Sequence, residues 1–412
     1  VTLTILEGVE VLFLANTDDQ VAGDEPYDSE LIVNGTLNVA GSEGNPVLFT
    51  SSNREPLTGD WGGIRINNNG ASFDYATIEY SAYGIYANGL ESGQTLAISR
   101  SIIQHNGNYG VRNQGSYYYG TVRITDSQII NNNGTGIYSS SAYDNWVISG
   151  NTISGNQGYG IYFNDEDDVD IRDNVIEDNT YSQIYINYVR SDFTFSDNRL
   201  SKLNSNSGSY VFYFYSGRKA DSSASTDDIT ITDNEFINSG SGDTVYVYDE
   251  GAADAVVTGN SIVGGSIGLH LRNDSTNVQP TISDNTITGT SSYALYIYGK
   301  IVPTVTDNRL DSNAYGMYFD YSDANGNGSF EVSNNEIINS SNDAITINNY
   351  AKPTFSNNDI YGNGGYAIRN NTSYAINAKN NWWGETDTAT INNGSNPQSL
   401  SFIYDGNNSA SN

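Results

Sequence analysis

One short pattern recurs nine times: a β-branched or aromatic pair, then Asp, Asn or Gly, then Asn, any residue and an aliphatic. It places Asn151, Asn174, Asn198, Asn234, Asn260, Asn285, Asn308, Asn335 and Asn358 in one slot, most often 23 to 27 residues apart. The slot continues upstream through Ser127, Ser101 and Ala76 and downstream to Asn381, which makes thirteen turns. Self-similarity at such a period marks a solenoid, in which each unit buries its apolar face against the next. Each repeat also carries a second strand with its own phase, as in GIYAN, GIYSS, GIYFN, TVYVY and GMYFD. These strands are separated by Gly, Asn, Ser and Asp turns with no helical period, and hairpins do not close at such regular spacing. Stacking in parallel at ~4.8 Å is the alternative. The reading is therefore an all-β chain, a right-handed parallel β-helix of about 13 coils preceded by N-terminal entry coils. An inward Asn at a fixed turn satisfies its neighbours' backbone groups, because a buried amide needs partners on both sides.

Composition then removes several function classes. Against 48 Asp and Glu stand 17 Lys and Arg, a net charge of −31 that repels a phosphate backbone and excludes nucleic acid as partner. No apolar run reaches the roughly 18 residues of a membrane helix. With no Cys, disulfide scaffolds, thiolate metal sites and cysteine nucleophiles are all absent. The chain opens on Val1 without Met or a basic-apolar leader, which suggests a processed, secreted or cell-surface product.

The Asn ladder, the GI-containing strands and the turn lengths resemble the parallel β-helix repeat superfamily that includes pectate-lyase-like proteins. The opening LIVNGTLNVAGSEGNPVLFTSSNREPLTGDWGGIRI, with Trp61, is similar to entry turns of secreted bacterial β-helix proteins, and NNWWG at 380–384 to their closing turns. The resemblance covers nearly the whole chain. It implies the fold and leaves activity open, since such proteins include lyases, hydrolases, epimerases, adhesins and surface proteins. Along the chain, residues 1–62 read as entry coils, 63–384 as β-helix repeats and 385–412 as an end coil and tail.

In the GIxx strand the aliphatic residue points inward, so alternation sends the next residue out. That outward slot holds Arg65, Tyr86, Arg112, Tyr138, Tyr162, Tyr185, Tyr213, Tyr246, His270, Tyr296 and Tyr318, with Tyr213 included if Phe212 and Phe214 face in. Such a stripe is either a self-stacked tyrosine ladder or a glycan-binding face, on which pyranose C–H patches meet rings and hydroxyls meet Asn67, Asn88, Asn164 and Asn187. A long insertion between Asn198 and Asn234 adds Arg218 and Lys219 as candidate ligand contacts beside a run of aromatics. His105 and His270 lie far apart and read as ordinary surface residues. Trp382 and Trp383 read as end-coil packing.

Two segments have the oxygen-rich composition of a Ca²⁺ site. The first is Asp165, Glu166, Asp167, Asp168 and Asp170, to which adjacent coils can add Asp144 and Asp192. The second is Asp323, Asn325 and Asn327, which begins like a calcium loop but has Asn334 where a bidentate Glu would stand. Calcium is the one cofactor expected, with no organic cofactor. Asp173, Asp197, Asp233, Asp284 and Asp307, each just before a ladder Asn, are turn-formers. Three functions stay open: a carbohydrate-binding, adhesive or structural protein with a polysaccharide or surface glycan as partner; a polysaccharide lyase or glycoside hydrolase; and a fibre or surface-layer subunit that associates end to end.

Overall fold

The structure is a computed structural model and describes residues 1–412 apart from 18–26, 68, 116–118, 141–142, 204–207, 217–227, 251–253, 395–399 and 406–412, with only the backbone at 275–276. It is a right-handed parallel β-helix and divides into two compact units, Val1–Lys202 and Leu203–Asn412. Both units use the same turn: three short strands, each pairing in parallel with its equivalent one turn away. In unit 1, Thr95–Ser99 pairs with Thr121–Thr125, Ile102–Gln104 with Gln128–Ile130, and Tyr109–Gln114 with Thr135–Ser140. In unit 2, Val256–Thr258 pairs with Thr281–Ser283, Ser261–Gly264 with Thr286–Thr288, and Leu269–Val278 with Tyr293–Ile301. The rungs number slightly differently from the thirteen read along the Asn slot. The entry coils form rungs of their own, and Asn381 is followed by one isolated bridge, Asp359 to Trp382.

Alternation makes the core. Ile98, Ile103 and Val111 of successive sheets are buried in unit 1, as are Val257, Ile262 and Leu269 in unit 2, while the residues between them face out. In the first rung Leu3 is 48% exposed although its register partner Leu37 is fully buried, because no rung lies beyond it among the described residues.

The Asn slot is a continuous hydrogen-bonded column within each unit. The backbone N–H and Nδ2 of Asn151 both donate to Asn174 Oδ1 at 2.9 Å, and Asn174 donates both of its own to Asn198 Oδ1 at 3.0 and 2.9 Å. In unit 2, Asn260, Asn285 and Asn308 repeat the arrangement at 2.9 to 3.0 Å. The residue before each ladder position has a left-handed backbone. Asp173, Asp197, Asp233, Asp284 and Asp307 have φ between 56° and 58°, and Gly150 and Gly259 have φ of 70° in the same slot. Side chains rarely tolerate that region, which is why the sequence restricts the slot so largely to Asp, Asn and Gly.

Unit 1 adds a second ladder that the repeat search does not isolate. Five residues beyond the first, Asn106, Asn132, Asn156 and Asn179 donate in the same paired fashion from rung to rung at 2.8 to 3.1 Å. Gln183 Oε1 receives both bonds from Asn179.

At the C-terminal end Trp383 is buried and packs near Phe402, while Trp382 meets Tyr361 edge-on and stays 39% exposed. A single α-helix among the described residues, Gly384–Asn393, begins at the last residue expected for the repeats, runs into the expected end coil and buries none of its side chains. Period reading overlooked it because it has no apolar face to give a 3.6-residue signal.

Candidate functional site

The outward column falls into register within each unit. In unit 1, Arg65, Tyr86, Arg112, Tyr138, Tyr162 and Tyr185 stand opposite one another on successive strands. In unit 2 the column runs Tyr213, Tyr246, His270, Tyr296 and Tyr318 and continues to Thr346 and Arg369. Phe212 and Phe214 are fully buried and Tyr213 half-buried, as its inclusion required. Arg218 and Lys219 lie outside the described residues.

The rings stack on one another. Tyr138 and Tyr162 have centroids 5.1 Å apart and planes 6° apart; Tyr162 and Tyr185 are at 5.3 Å and 2°. In unit 2, Tyr213 and Tyr246 are at 5.4 Å and 3°, and Tyr296 and Tyr318 at 4.4 Å and 2°. Ring faces therefore cover each other at strand spacing, and what a ligand meets is ring edges and hydroxyls rather than flat platforms. A second row, missed in the sequence because it lies three residues earlier with looser spacing, buttresses the first. Tyr83, Tyr109 and Tyr159 do this in unit 1, and Tyr210, Tyr293 and Tyr315 in unit 2. Burial, followed by neighbouring phenols, raises the pKa of Tyr162 and Tyr293, so these hydroxyls stay protonated donors at neutral pH.

Two residues further along each strand, unit 1 presents Asn67, Asn88, Gln114, Ser140, Asn164 and Asn187. Asn187 donates to Asn164 Oδ1 at 2.7 Å. The corresponding row of unit 2 is Tyr215, Tyr248, Arg272, Tyr298, Asp320 and Asn348, which is chemically different. There His270 Nδ1 lies 2.9 Å from Asp243 Oδ2, Arg272 pairs with Asp274 at 2.5 Å, and Arg369 pairs with Asp343 at 2.5 Å. His270 is thus not an ordinary surface residue: it sits edge-on between Tyr246 and Tyr296, with 16% of its side chain exposed. His105 stacks on Tyr80 instead.

The acidic run of unit 1 does not converge. Asp165 pairs with Arg190 at 2.6 Å, Asp167 accepts from Ser191 Oγ at 2.9 Å, Asp168 accepts from the Asp192 N–H at 3.3 Å, and Asp170 pairs with Arg172. Glu166 turns inward, fully buried, and accepts from Trp146 Nε1 at 3.1 Å. Its pKa is pushed up to about 8, first by burial and further by Asp144. Asp144 is also raised by burial, against bonds from Asn113 Nδ2 at 2.6 Å and the Gly120 N–H at 2.5 Å. Strand alternation explains the dispersal, since neighbouring side chains leave on opposite faces. At the other candidate, Asp323 Oδ1 accepts from the Asn325 N–H at 2.9 Å and Asn325 and Asn327 are exposed, a capped turn rather than a converging ligand set. Among the described residues no three His, Cys, Asp or Glu side chains gather as metal ligands.

A family model described as a right handed beta helix region matches residues 62–221 and 277–411, well over half of the chain. A second, described as periplasmic copper-binding protein (NosD), matches residues 222–327. No curated sequence matches the chain. Among solved structures, the periplasmic alginate epimerase AlgG is similar at a TM-score of 0.38 and 11% identity, over 86% of this chain and 78% of that one. The catalytic domain of a GH87 alpha-1,3-glucanase in complex with tetrasaccharides is similar at 0.32 and 12%, over 93% of this chain and 64% of that one. At these identities and scores the likenesses carry no argument about what this chain does.

Proposed function

The chain belongs to the right-handed β-helix family, and from that premise we propose that it is a periplasmic or extracellular protein that holds a polysaccharide along its tyrosine-bearing sheet face. The observation that carries this reading is the in-register column of half-buried tyrosines beside a row of amides and Ser140 in unit 1. A repeating ligand suits a repeating surface: on the rungs of Tyr138, Tyr162 and Tyr185 a phenol hydroxyl stands beside Ser140, Asn164 and Asn187 in turn, ~4.8 Å apart, so successive sugars meet closely similar groups. Because the rings brace one another, little side-chain entropy is lost on binding. The periplasmic family that matches residues 222–327 supports placement outside the cytoplasm.

Retention on a panel of immobilised polysaccharides tests the reading. Replacing Tyr138, Tyr162 and Tyr185 together by Ala is expected to lower retention at least tenfold; retention equal to the parent protein would overturn it.

One observation favours a second reading, a polysaccharide-modifying enzyme. In unit 2 the His270–Asp243 pair, with Arg272 two residues on, offers an oriented imidazole, phenols and a guanidinium on one face. Release of unsaturated or reducing-end products, lost in His270→Asn, would support it. Retention without products would leave binding as the function.

A further inference from the structure

We propose that the arginine-bracketed end of the unit 1 face is a site for the anionic group of a glycan, a uronate carboxylate or a sulfate ester; this rests on the glycan-binding reading and names the class of sugar. The site is a depression of about 240 Å³ lined by Gly63, Arg65, Tyr83, Tyr86, Arg112 and Glu30. This is below the roughly 300 Å³ of the smallest drug-sized pockets and suits one sugar unit. Its floor comes from an irregularity. The pairing of Trp61–Asn67 with Ser81–Asn88 shifts register between Gly63 and Ile64, and Gly63 has φ of 126°, where a Cβ would meet Tyr83 O at 1.9 Å. Only glycine allows that close approach.

The charge pattern carries the argument. The Tyr86 ring lies between two guanidiniums, 5.0 Å from Arg65 and 4.6 Å from Arg112. Arg112 also lies over Tyr83, Tyr109 and Tyr138, at 5.3 to 6.0 Å, and donates Nη2 to Gln114. No carboxylate lies within ion-pair distance of it among the described residues, and its buried Nε has no hydrogen-bond partner there. In a chain of net charge −31, Arg100, Arg172, Arg190, Arg199, Arg272, Arg309 and Arg369 each pair with Asp or Glu; Arg54 and Arg123 are exposed to solvent, whereas Arg112 is half-buried among rings. A guanidinium held over aromatic rings, partly desolvated and without a counter-ion, is suited to a planar or tetrahedral oxyanion. Glu30 at the rim opposes a second negative charge, so the site fits a monoanionic group rather than a phosphate dianion.

Calorimetric titration with three probes of equal length tests this: oligogalacturonate, a sulfated galactan oligosaccharide and a neutral cello-oligosaccharide. The parent protein is expected to bind one anionic probe at least tenfold more tightly than the neutral one, with affinity falling as salt rises. Which anionic probe wins assigns carboxylate or sulfate. Arg112→Gln is expected to lose that tenfold preference, the anionic probe falling to the affinity of the neutral one, and Arg112→Lys to restore only part of it. Equal binding of all three probes by the parent, or an unchanged preference in Arg112→Gln, would overturn the inference while sparing the tyrosine-face reading. No binding of any probe, together with no retention on the polysaccharide panel, would overturn both.

Discussion

Each unit carries a tyrosine column of its own on the equivalent strand of the turn, and the two differ in what surrounds it. In unit 1 the adjoining row is made of amides and Ser140, and Arg112 has no acidic partner among the described residues. In unit 2 the basic side chains of the face among the described residues each meet a carboxylate: His270 meets Asp243, Arg272 meets Asp274, Arg369 meets Asp343. The scaffold therefore fixes the spacing of both faces while the outward residues set their charge. One face is arranged to receive negative groups; the other already satisfies its own. The interiors differ as well: unit 1 buries Asp144 and Glu166 completely, whereas the buried acids of unit 2, Asp249, Asp320 and Asp343, keep 5–8% of their surface exposed.

That interior contrast gives the largest expected effect. The Glu166 carboxyl has a folded-state pKa raised from 4.5 to about 8. The folded chain binds the extra proton between these values, so stability is greatest below pH 4.5 on this account and falls as pH rises through 8. The fall is on the order of 5 kcal/mol for this group alone. Urea melting at pH 5, 7 and 9 should show it. Glu166→Gln, which keeps the shape without the charge, should flatten the slope, and an equally steep slope in that variant would break the assignment.

The ladders come next. Asn174→Ala in unit 1 and Asn285→Ala in unit 2 each strip two bonds from the preceding rung and leave buried donors unmet, at about 2–3 kcal/mol apiece. Asn156→Ala should cost as much, because the second ladder is complete in unit 1. Thr290→Ala, at the equivalent place in unit 2, should cost about 1 kcal/mol, since a single hydroxyl there donates to Asn313. Equal losses for Asn156→Ala and Thr290→Ala would show that the second ladder does not distinguish the units.

Surface charge exchanges sharpen the comparison with smaller effects. Gln114→Glu gives Arg112 a carboxylate partner and makes the unit 1 face resemble unit 2; retention of an anionic polysaccharide should fall about tenfold, or about 1.4 kcal/mol. Asp274→Asn releases Arg272 from its partner at a site where the arginine side chain is 40% exposed. The thermal melt should move by less than the equivalent of about 1 kcal/mol, with a gain in anion retention. A loss in both variants would mean that charge on the faces is not what separates them.

Much of the fold was legible because the solenoid repeats its constraints. The inward Asn, the turn Asp and the aliphatic before each outward Tyr are local rules obeyed rung after rung, and register follows once one rung is placed. The second Asn ladder has a readable signal too, an Asn five residues beyond Ser101, Ser127, Asn151 and Asn174. The candidate site was less legible. The run from Asp165 to Asp170 reads as a cluster, but strand alternation and the turn send its side chains to Arg190, Trp146, Ser191 and Arg172. His270 reads as isolated because Asp243 belongs to the preceding rung, 27 residues away.

The sequence by itself determined the stacking unit and the column that faces outward, since periodicity and φ preference act on neighbours along the chain; that each turn has three strands came from the structure. Partner choice was decided only in the tertiary structure. Which arginine meets a carboxylate, which ring covers another and which acid is driven into the core depend on side chains about 25 residues apart brought to ~5 Å by parallel pairing.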